Sequence, residues 1–472
     1  MRTRKCEVAI VGAGSAGLSA LDEVRKRTED YLLIDGGPLG SSCARVACMP
    51  TKTLIEAANG FHRRLFAARV GVRGGEAAVA DIPAVLSYVR EKRDYFVAGM
   101  VDYTREQGER FIEGRARFVA ANVLEAGGLR IEADKVVIAT GSRPVYPAAW
   151  EPCRSWLLTT DELFEQEDLP PTMAVIGLGP AGLELAQALG RLGLAVTGID
   201  AAAMVGGISD PRVNAAAVAA LGRELPLFLE RRVALSPAGD LVRIDLGDRV
   251  LEVGRILVAT GRRPNLDGLG LEETGAQLDG RGIPLYNPRT LQVGNLPIFL
   301  TGDANGDRAI LHEAIDEGLI AGFNAVSPEI HCFQRRTPLA IAFTEPNLAT
   351  VGSRFSDLAP AGVAIGEYDF GKQSRALMSG DNAGLLRVYI DRGRGVLTGA
   401  ELAAPAGEHL AQMLAWAVQA EMTVDQLLAM PWYHPVVAEG LRSALGGAAR
   451  ELGRDFAVGD LLCAAAPQKC LG

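Results

Sequence analysis

Cysteine is scarce in this chain, basic residues are in the minority, and no long uncharged hydrophobic run occurs. The seven cysteines stand at 6, 43, 48, 153, 332, 463 and 470 of 472 residues. That odd, sparse set excludes a disulfide framework, and in a reducing compartment only a closely spaced pair carries meaning. The formal charge of −9 and pI near 5.3, with no extended Lys/Arg cluster, argue against a nucleic-acid partner or a polybasic membrane patch. The longest uncharged stretch, Leu169 to Leu183, is fifteen residues and is broken by Pro and Gly. A spanning helix needs about 20 apolar residues, so despite a mean hydropathy of +0.14 no membrane partner is expected. The basic start (Arg2, Arg4, Lys5) is followed by Val8–Val11, too short for a signal-peptide core, and a cytoplasmic protein is expected. The 55 Gly and 24 Pro show no three-residue period, which excludes a collagen-like repeat. At roughly 150 residues per domain the length predicts about three domains.

What the chain does have is a duplication. Glu7–Val8–Ala9–Ile10–Val11 runs into Gly12–Ala13–Gly14–Ser15–Ala16–Gly17, then a helical pattern, then Tyr31–Leu32–Leu33–Ile34 and Asp35. The same order returns in Met173–Ala174–Val175–Ile176, Gly177–Leu178–Gly179–Pro180–Ala181–Gly182, a helix, and Ala195–Val196–Thr197–Gly198–Ile199 with Asp200. The first glycine precedes the acid by 23 residues in both copies (12 to 35, 177 to 200). One such glycine motif is weak evidence, but two in strand–helix context with equal spacing predict two dinucleotide sites. Gly12 and Gly177 permit the tight turn, and Gly14 and Gly179 let backbone approach a pyrophosphate. Gly17 and Gly182 let helix and strand pack closely, and Asp35 and Asp200 accept hydrogen bonds from a ribose diol. A second repeat closes each unit: Val136 to Pro144 contains Ala139–Thr140–Gly141–Ser142, and Ile256 to Pro264 contains Ala259–Thr260–Gly261. Thr140, Gly141, Ser142 and Gly261 are therefore candidate cofactor contacts. Two dinucleotides in one chain predict electron passage between a flavin and a nicotinamide.

After the first acid comes Gly40–Ser41–Ser42–Cys43–Ala44–Arg45–Val46–Ala47–Cys48–Met49–Pro50–Thr51–Lys52. Its cysteine spacing suits no common zinc ribbon and has no matching second pair, so no metal site is expected. At a helix N-terminus the dipole would stabilise a thiolate, and a five-residue offset is bridgeable if the first turn is distorted.

Here the chain resembles the class I pyridine-nucleotide disulfide oxidoreductases, and among them the dihydrolipoamide dehydrogenases. Both cysteines, Pro50 and Lys52 match that family's redox segment, while Arg45 and Ala47 depart from it. Further motifs follow in family order: Leu300–Thr301–Gly302–Asp303, Ala309–Ile310–Leu311–His312 with Glu317–Gly318, Phe343–Thr344–Glu345–Pro346, and His434–Pro435–Val436–Val437–Ala438–Glu439. The implied fold is α/β: two Rossmann-like dinucleotide-binding domains plus a C-terminal α+β dimerisation domain. Its implied boundaries are 1–147 and 265–335 for FAD, 148–264 for NAD and 336–472 for dimerisation.

The resemblance also implies roles. Cys48 would face the flavin and Cys43 would exchange with substrate, while Lys52 and Glu184 would pair near the flavin edge. Asp303 would hold the ribityl chain, with Leu311 and His312 beside the ring. His434, oriented by Glu439, would be the acid–base, serving the disulfide of a second subunit in a homodimer. Independently of the resemblance, thiol–disulfide exchange needs a thiolate and a group that takes and returns its proton near neutral pH. Asp200, followed by Ala201–Ala202–Ala203–Met204 with no Arg, predicts NAD rather than NADP.

The expected enzyme is an NAD-dependent flavoprotein passing electrons from a small or protein-bound lipoyl-type dithiol. Alternatives are a reductase of another disulfide or of mercuric ion, or a docking subunit of a 2-oxoacid dehydrogenase assembly. Arg45 reads as a solvated residue, as a charge that depresses a thiolate pKa, or as a grip on an acidic substrate. Cys463 and Cys470 read as bystanders.

Overall fold

The computed structural model describes residues 1–75 and 77–454, which form two compact units. Among the described residues the first comprises 1–57, 81–169 and 257–335, and the second 58–75, 77–80, 170–256 and 336–454. Cys463 and Cys470 lie outside the described residues.

The first unit is built on a sheet in which Arg2–Val11 lies between parallel Tyr31–Asp35 and Leu129–Ile138. Val8, Ala9 and Ile10 are fully buried, as a central parallel strand covered on both faces requires. Leu129–Ile138 also pairs in parallel with Ile298–Leu300, with Ile298 opposite Val136. The helices Ser15–Val24 and Leu311–Ala325 pack together, and Gly318 and Gly322 permit it. A Cβ at Gly318 would come within 2.2 Å of the Ala16 carbonyl oxygen. The two repeats that close the dinucleotide units meet as a short antiparallel ribbon, Ser142–Pro144 against Arg262–Pro264.

In the second unit Thr172–Ile176 pairs in parallel with Ala195–Ile199, which pairs with Leu227–Phe228. Pro180 opens the helix Pro180–Arg191, where a missing N–H costs nothing. Three antiparallel strands, Ala234–Ala238, Leu241–Asp245 and Val250–Val253, follow. Beyond residue 336 lies a five-stranded antiparallel sheet in the order Leu339–Ala342, Asn347–Gly352, Leu397–Ala404, Leu385–Asp391, Val363–Asp369. Its apolar face, with Leu386, Val388 and Leu402, shares a core with Leu410 and Leu414 of helix Gly407–Gln419 and Leu441 and Leu445 of helix Glu439–Glu451. Gly366 lets the last helix close on the sheet, since a Cβ there would sit 1.8 Å from the Ala444 carbonyl oxygen. Among the described residues no helix is long and apolar enough to cross a membrane.

Candidate functional site

The three glycines of the first motif meet three different surroundings. Gly12 has φ +113° and a Cβ there would lie 2.2 Å from the Ala139 carbonyl oxygen; at Gly17 it would lie 1.8 Å from that of Gly12. Gly14 has nothing within 4 Å of where its Cβ would be. The outer two are thus closed by the protein's own backbone and the middle one is open, as close approach of a pyrophosphate demands. In the second copy Gly177 has φ +98°, Gly179 is likewise open and Gly182 is buried in its helix. Gly141 and Gly261, with φ +69° and +114°, also face open space.

The two acids do the same work in both units. Asp35 accepts the Ala13 and Gly37 N–H groups, each at 2.6 Å. Asp200 accepts those of Leu178 and, at 2.8 Å, Ala202. Each carboxylate ties its glycine turn to the strand end and keeps lone pairs for a diol. The Thr140 and Thr301 hydroxyls are buried without a partner among the described residues. Open middle glycines, anchored acids and orphaned hydroxyls together fit a bound dinucleotide.

Cys43 lies in the short helix Ser42–Arg45, whose Ser41 cap accepts the Ala44 N–H, and Cys48 opens the separate helix Cys48–His62. The break at Val46–Ala47 supplies the distortion that the five-residue offset requires. Cys43 and Cys48 are not joined by a disulfide in this structure. A hydrogen bond to the Cys48 sulfur and burial hold the Cys43 thiol well above its ordinary range, opposed by the Cys48 N–H and the Lys52 charge. Lys52 stands one turn beyond Cys48 on the same helix. Arg45 donates to the Pro38 carbonyl at 3.4 Å.

Asp303 sits in the turn Gly302–Asn305 and its Oδ2 accepts the Ser142 hydroxyl at 2.6 Å. Buried Glu317 fixes this turn by accepting the Gly302 N–H and the Asn305 amide, both at 2.7 Å. Arg335 bonds to Glu317 at 2.8 Å and to Glu313 at 2.6 Å, and Arg308 bonds to Glu313 at 2.9 Å. Burial pushes Glu317 up from the ordinary carboxylate range, against the Arg335 charge. Burial also pushes Glu313 up, but bonds from both arginines outweigh it and leave it low. Sequence reasoning took Glu317 only as part of a motif and missed Arg335, which lies 18 positions away. Leu311 and His312 open the helix Leu311–Ala325 and are both exposed.

Glu184 is buried in helix Pro180–Arg191 and accepts the Phe343 N–H at 2.8 Å. One turn further along that helix Gln187 donates to the Glu345 carbonyl, and Arg191 forks onto Glu224 at 2.7 and 2.8 Å. These two residues, which periodicity marks only as helix, hold the Phe343–Pro346 segment against Glu184. His434 Nδ1 lies 2.9 Å from Glu439 Oε1, and Glu439 Oε2 accepts the Val436 N–H at 3.2 Å. The bond to His434, then the Val436 N–H, hold Glu439 below the ordinary carboxylate range. With Nδ1 engaged, Nε2 is the nitrogen left to exchange protons.

Known proteins resemble this chain over most of its length. The family described as pyridine nucleotide-disulphide oxidoreductase matches residues 6–318, and its dimerisation domain matches 339–445. Dihydrolipoyl dehydrogenase of Bacillus subtilis is 28% identical over 456 residues, covering 93% of this chain and 97% of that protein. Mercuric reductase of Streptomyces lividans is 29% identical over 460 residues, covering 93% and 95%. Among solved structures, LpdA of Mycobacterium tuberculosis superimposes with a TM-score of 0.80 at 26% identity, covering 93% and 99%. The HOCl-induced flavoprotein disulfide reductase RclA of Escherichia coli superimposes with a TM-score of 0.82 at 20% identity, covering 94% and 99%, a likeness of fold alone.

Proposed function

Since this chain belongs to the pyridine nucleotide-disulphide oxidoreductase family, we propose that it is an NAD-linked flavoprotein oxidising a lipoyl-type dithiol through Cys43 and Cys48. The family's cofactors are FAD and NAD(P). The first dinucleotide unit, with Gly12, Gly14, Gly17, Asp35, Thr140, Ser142 and Asp303, would hold FAD, and the second, with Gly177, Gly179, Gly182 and Asp200, would hold NAD. Asp200 favours NAD because its carboxylate would repel a 2′-phosphate. When bound, FAD would supply the two-electron step between thiol and nicotinamide.

The observation that carries the reading is the asymmetric thiol pair at the broken helix. A substrate thiolate attacks Cys43 of the Cys43–Cys48 disulfide, forming a mixed disulfide and releasing Cys48 as thiolate. The second substrate thiolate then displaces Cys43, closing the substrate disulfide and leaving both protein sulfurs reduced by two electrons. His434 Nε2, whose other nitrogen Glu439 anchors, takes the substrate thiol protons one at a time, passing one to the departing Cys43 sulfur and keeping the other. The partner's His434 would serve each disulfide in a homodimer, in line with the matched dimerisation domain. A cytoplasmic setting accords with a pair that must cycle through its reduced form.

A panel of dihydrolipoamide, protein-bound lipoyl groups, glutathione disulfide and mercuric ion, each with NAD(H), tests the reading. Dihydrolipoamide or lipoyl protein should turn over fastest, and Cys48→Ser should abolish turnover and the long-wavelength absorbance of the two-electron-reduced enzyme. A preference for mercuric ion would instead favour the second reading, which the similarity to the Streptomyces lividans mercuric reductase supports.

A further inference from the structure

Arg262 follows Gly261 in the segment that closes the second dinucleotide unit, yet its side chain is spent on the first. Its Nε donates to the Ser142 hydroxyl oxygen at 2.9 Å and its Nη2 to the Ser142 carbonyl at 2.9 Å. Its Nη1 pairs with Asp161 Oδ1 at 2.7 Å, which fixes the plane of the guanidinium. A hydroxyl has one proton to give, and a guanidinium can only donate. With Arg262 donating into the Ser142 oxygen, the Ser142 proton is directed to Asp303 Oδ2, 2.6 Å away. Asp303 Oδ1 accepts no hydrogen bond from the described residues and is left to a ligand. The orphaned Thr140 and Thr301 hydroxyls, each two positions from this chain of bonds, fit a ligand held beside it.

We propose that Arg262 is a positioning residue for the flavin: through Ser142 it sets Asp303, so that an arginine of the second closing repeat governs how tightly FAD is held beside the first. This rests on the assignment of Asp303 to the ribityl chain made above. The ribbon that pairs Ser142–Pro144 with Arg262–Pro264 gives the relay its register. Asn265 strengthens it by bonding to the carbonyls of Gly141, at 2.9 Å, and Thr140, at 3.1 Å.

The test is a double-mutant cycle on the purified holoenzyme, reading FAD dissociation by the fluorescence of released flavin. Arg262→Met and Ser142→Ala should each weaken FAD binding by about tenfold, the ordinary worth of a charge-assisted hydrogen bond. The double variant should be no worse than the weaker single within about twofold, because both changes break one relay. Arg262→Lys keeps the charge without the fork and should fall between wild type and Arg262→Met. NAD affinity should move less than about twofold in all four, which a general loss of structure would not permit. Single effects that multiply in the double variant, or an Arg262→Met enzyme that holds FAD as the wild type does, overturn the relay. A wild-type chain that takes up no FAD overturns the functional reading, and the relay with it.

Discussion

An exposed histidine can move protons at a defined site only if something holds its ring, and for His434 that is Glu439. Replacing His434 with Ala should lower thiol oxidation by about 10² to 10⁴, the range for a positioned acid–base. NADH-driven reduction of a dye should persist, because it bypasses the thiols. Glu439→Gln should cost less, since it loosens the ring rather than removing the proton carrier. The pH dependence follows from the depressed Glu439 carboxyl. Its support of the imidazolium is complete above the ordinary carboxylate pKa and is lost as pH falls through the lowered folded value. The pH profile of wild-type thiol oxidation should therefore hold its ring-orienting contribution into mild acid, and that acid limb should move in Glu439→Gln. Identical acid limbs in the two enzymes would remove Glu439 from the mechanism.

At the scale of elements, glycine motifs can be dissected by what each glycine meets. Gly12→Ala combines a φ of +113° with a 2.2 Å clash against backbone and should cost about 1–3 kcal/mol or more, seen as a lowered Tm of the apoprotein. Gly14 has extended backbone (φ −81°, ψ −175°) and open space, so Gly14→Ala should leave the apoprotein stability within about 1 kcal/mol of wild type while FAD affinity falls at least about tenfold. Equal effects of the two substitutions on folding would contradict the geometry.

The duplicated strand–turn–helix units were legible because backbone geometry admits few residue types at those positions, whereas the His434–Glu439 contact was legible only through the family resemblance. The break between Cys43 and Cys48 was legible only as a need: nothing at Val46–Ala47 announces where a helix restarts. The Arg335–Glu317 and Arg262–Ser142 bonds were not legible, because polar partners far apart in sequence leave no periodic trace. Nor does composition show that the segment from Ala58 groups with 170–256 and 336–454 among the described residues. That grouping follows from tertiary burial rather than from local preference.

For the whole molecule, the proposed dimer makes a prediction no single chain can satisfy. A heterodimer of His434→Ala and Cys43→Ser chains has one site with both Cys43 and the partner's His434 intact. It should recover about half the wild-type rate, whereas each parental homodimer stays inactive; closed two-fold symmetry places one site per cross-subunit pairing. No recovery in verified heterodimers would confine each His434 to its own chain.

The three-segment composition of the first unit also bears on how the protein is made. The strand Ile298–Leu300 docks beside Leu129–Ile138, so the sheet gains that member only after the intervening chain has left the ribosome. At about 5–20 residues per second, the exposed edge of Leu129–Ile138 waits on the order of ten seconds or more. Nascent chains arrested before Ile298 should therefore be protease-sensitive around Val136–Ile138 and should engage chaperones, and those arrested well past residue 335 should not.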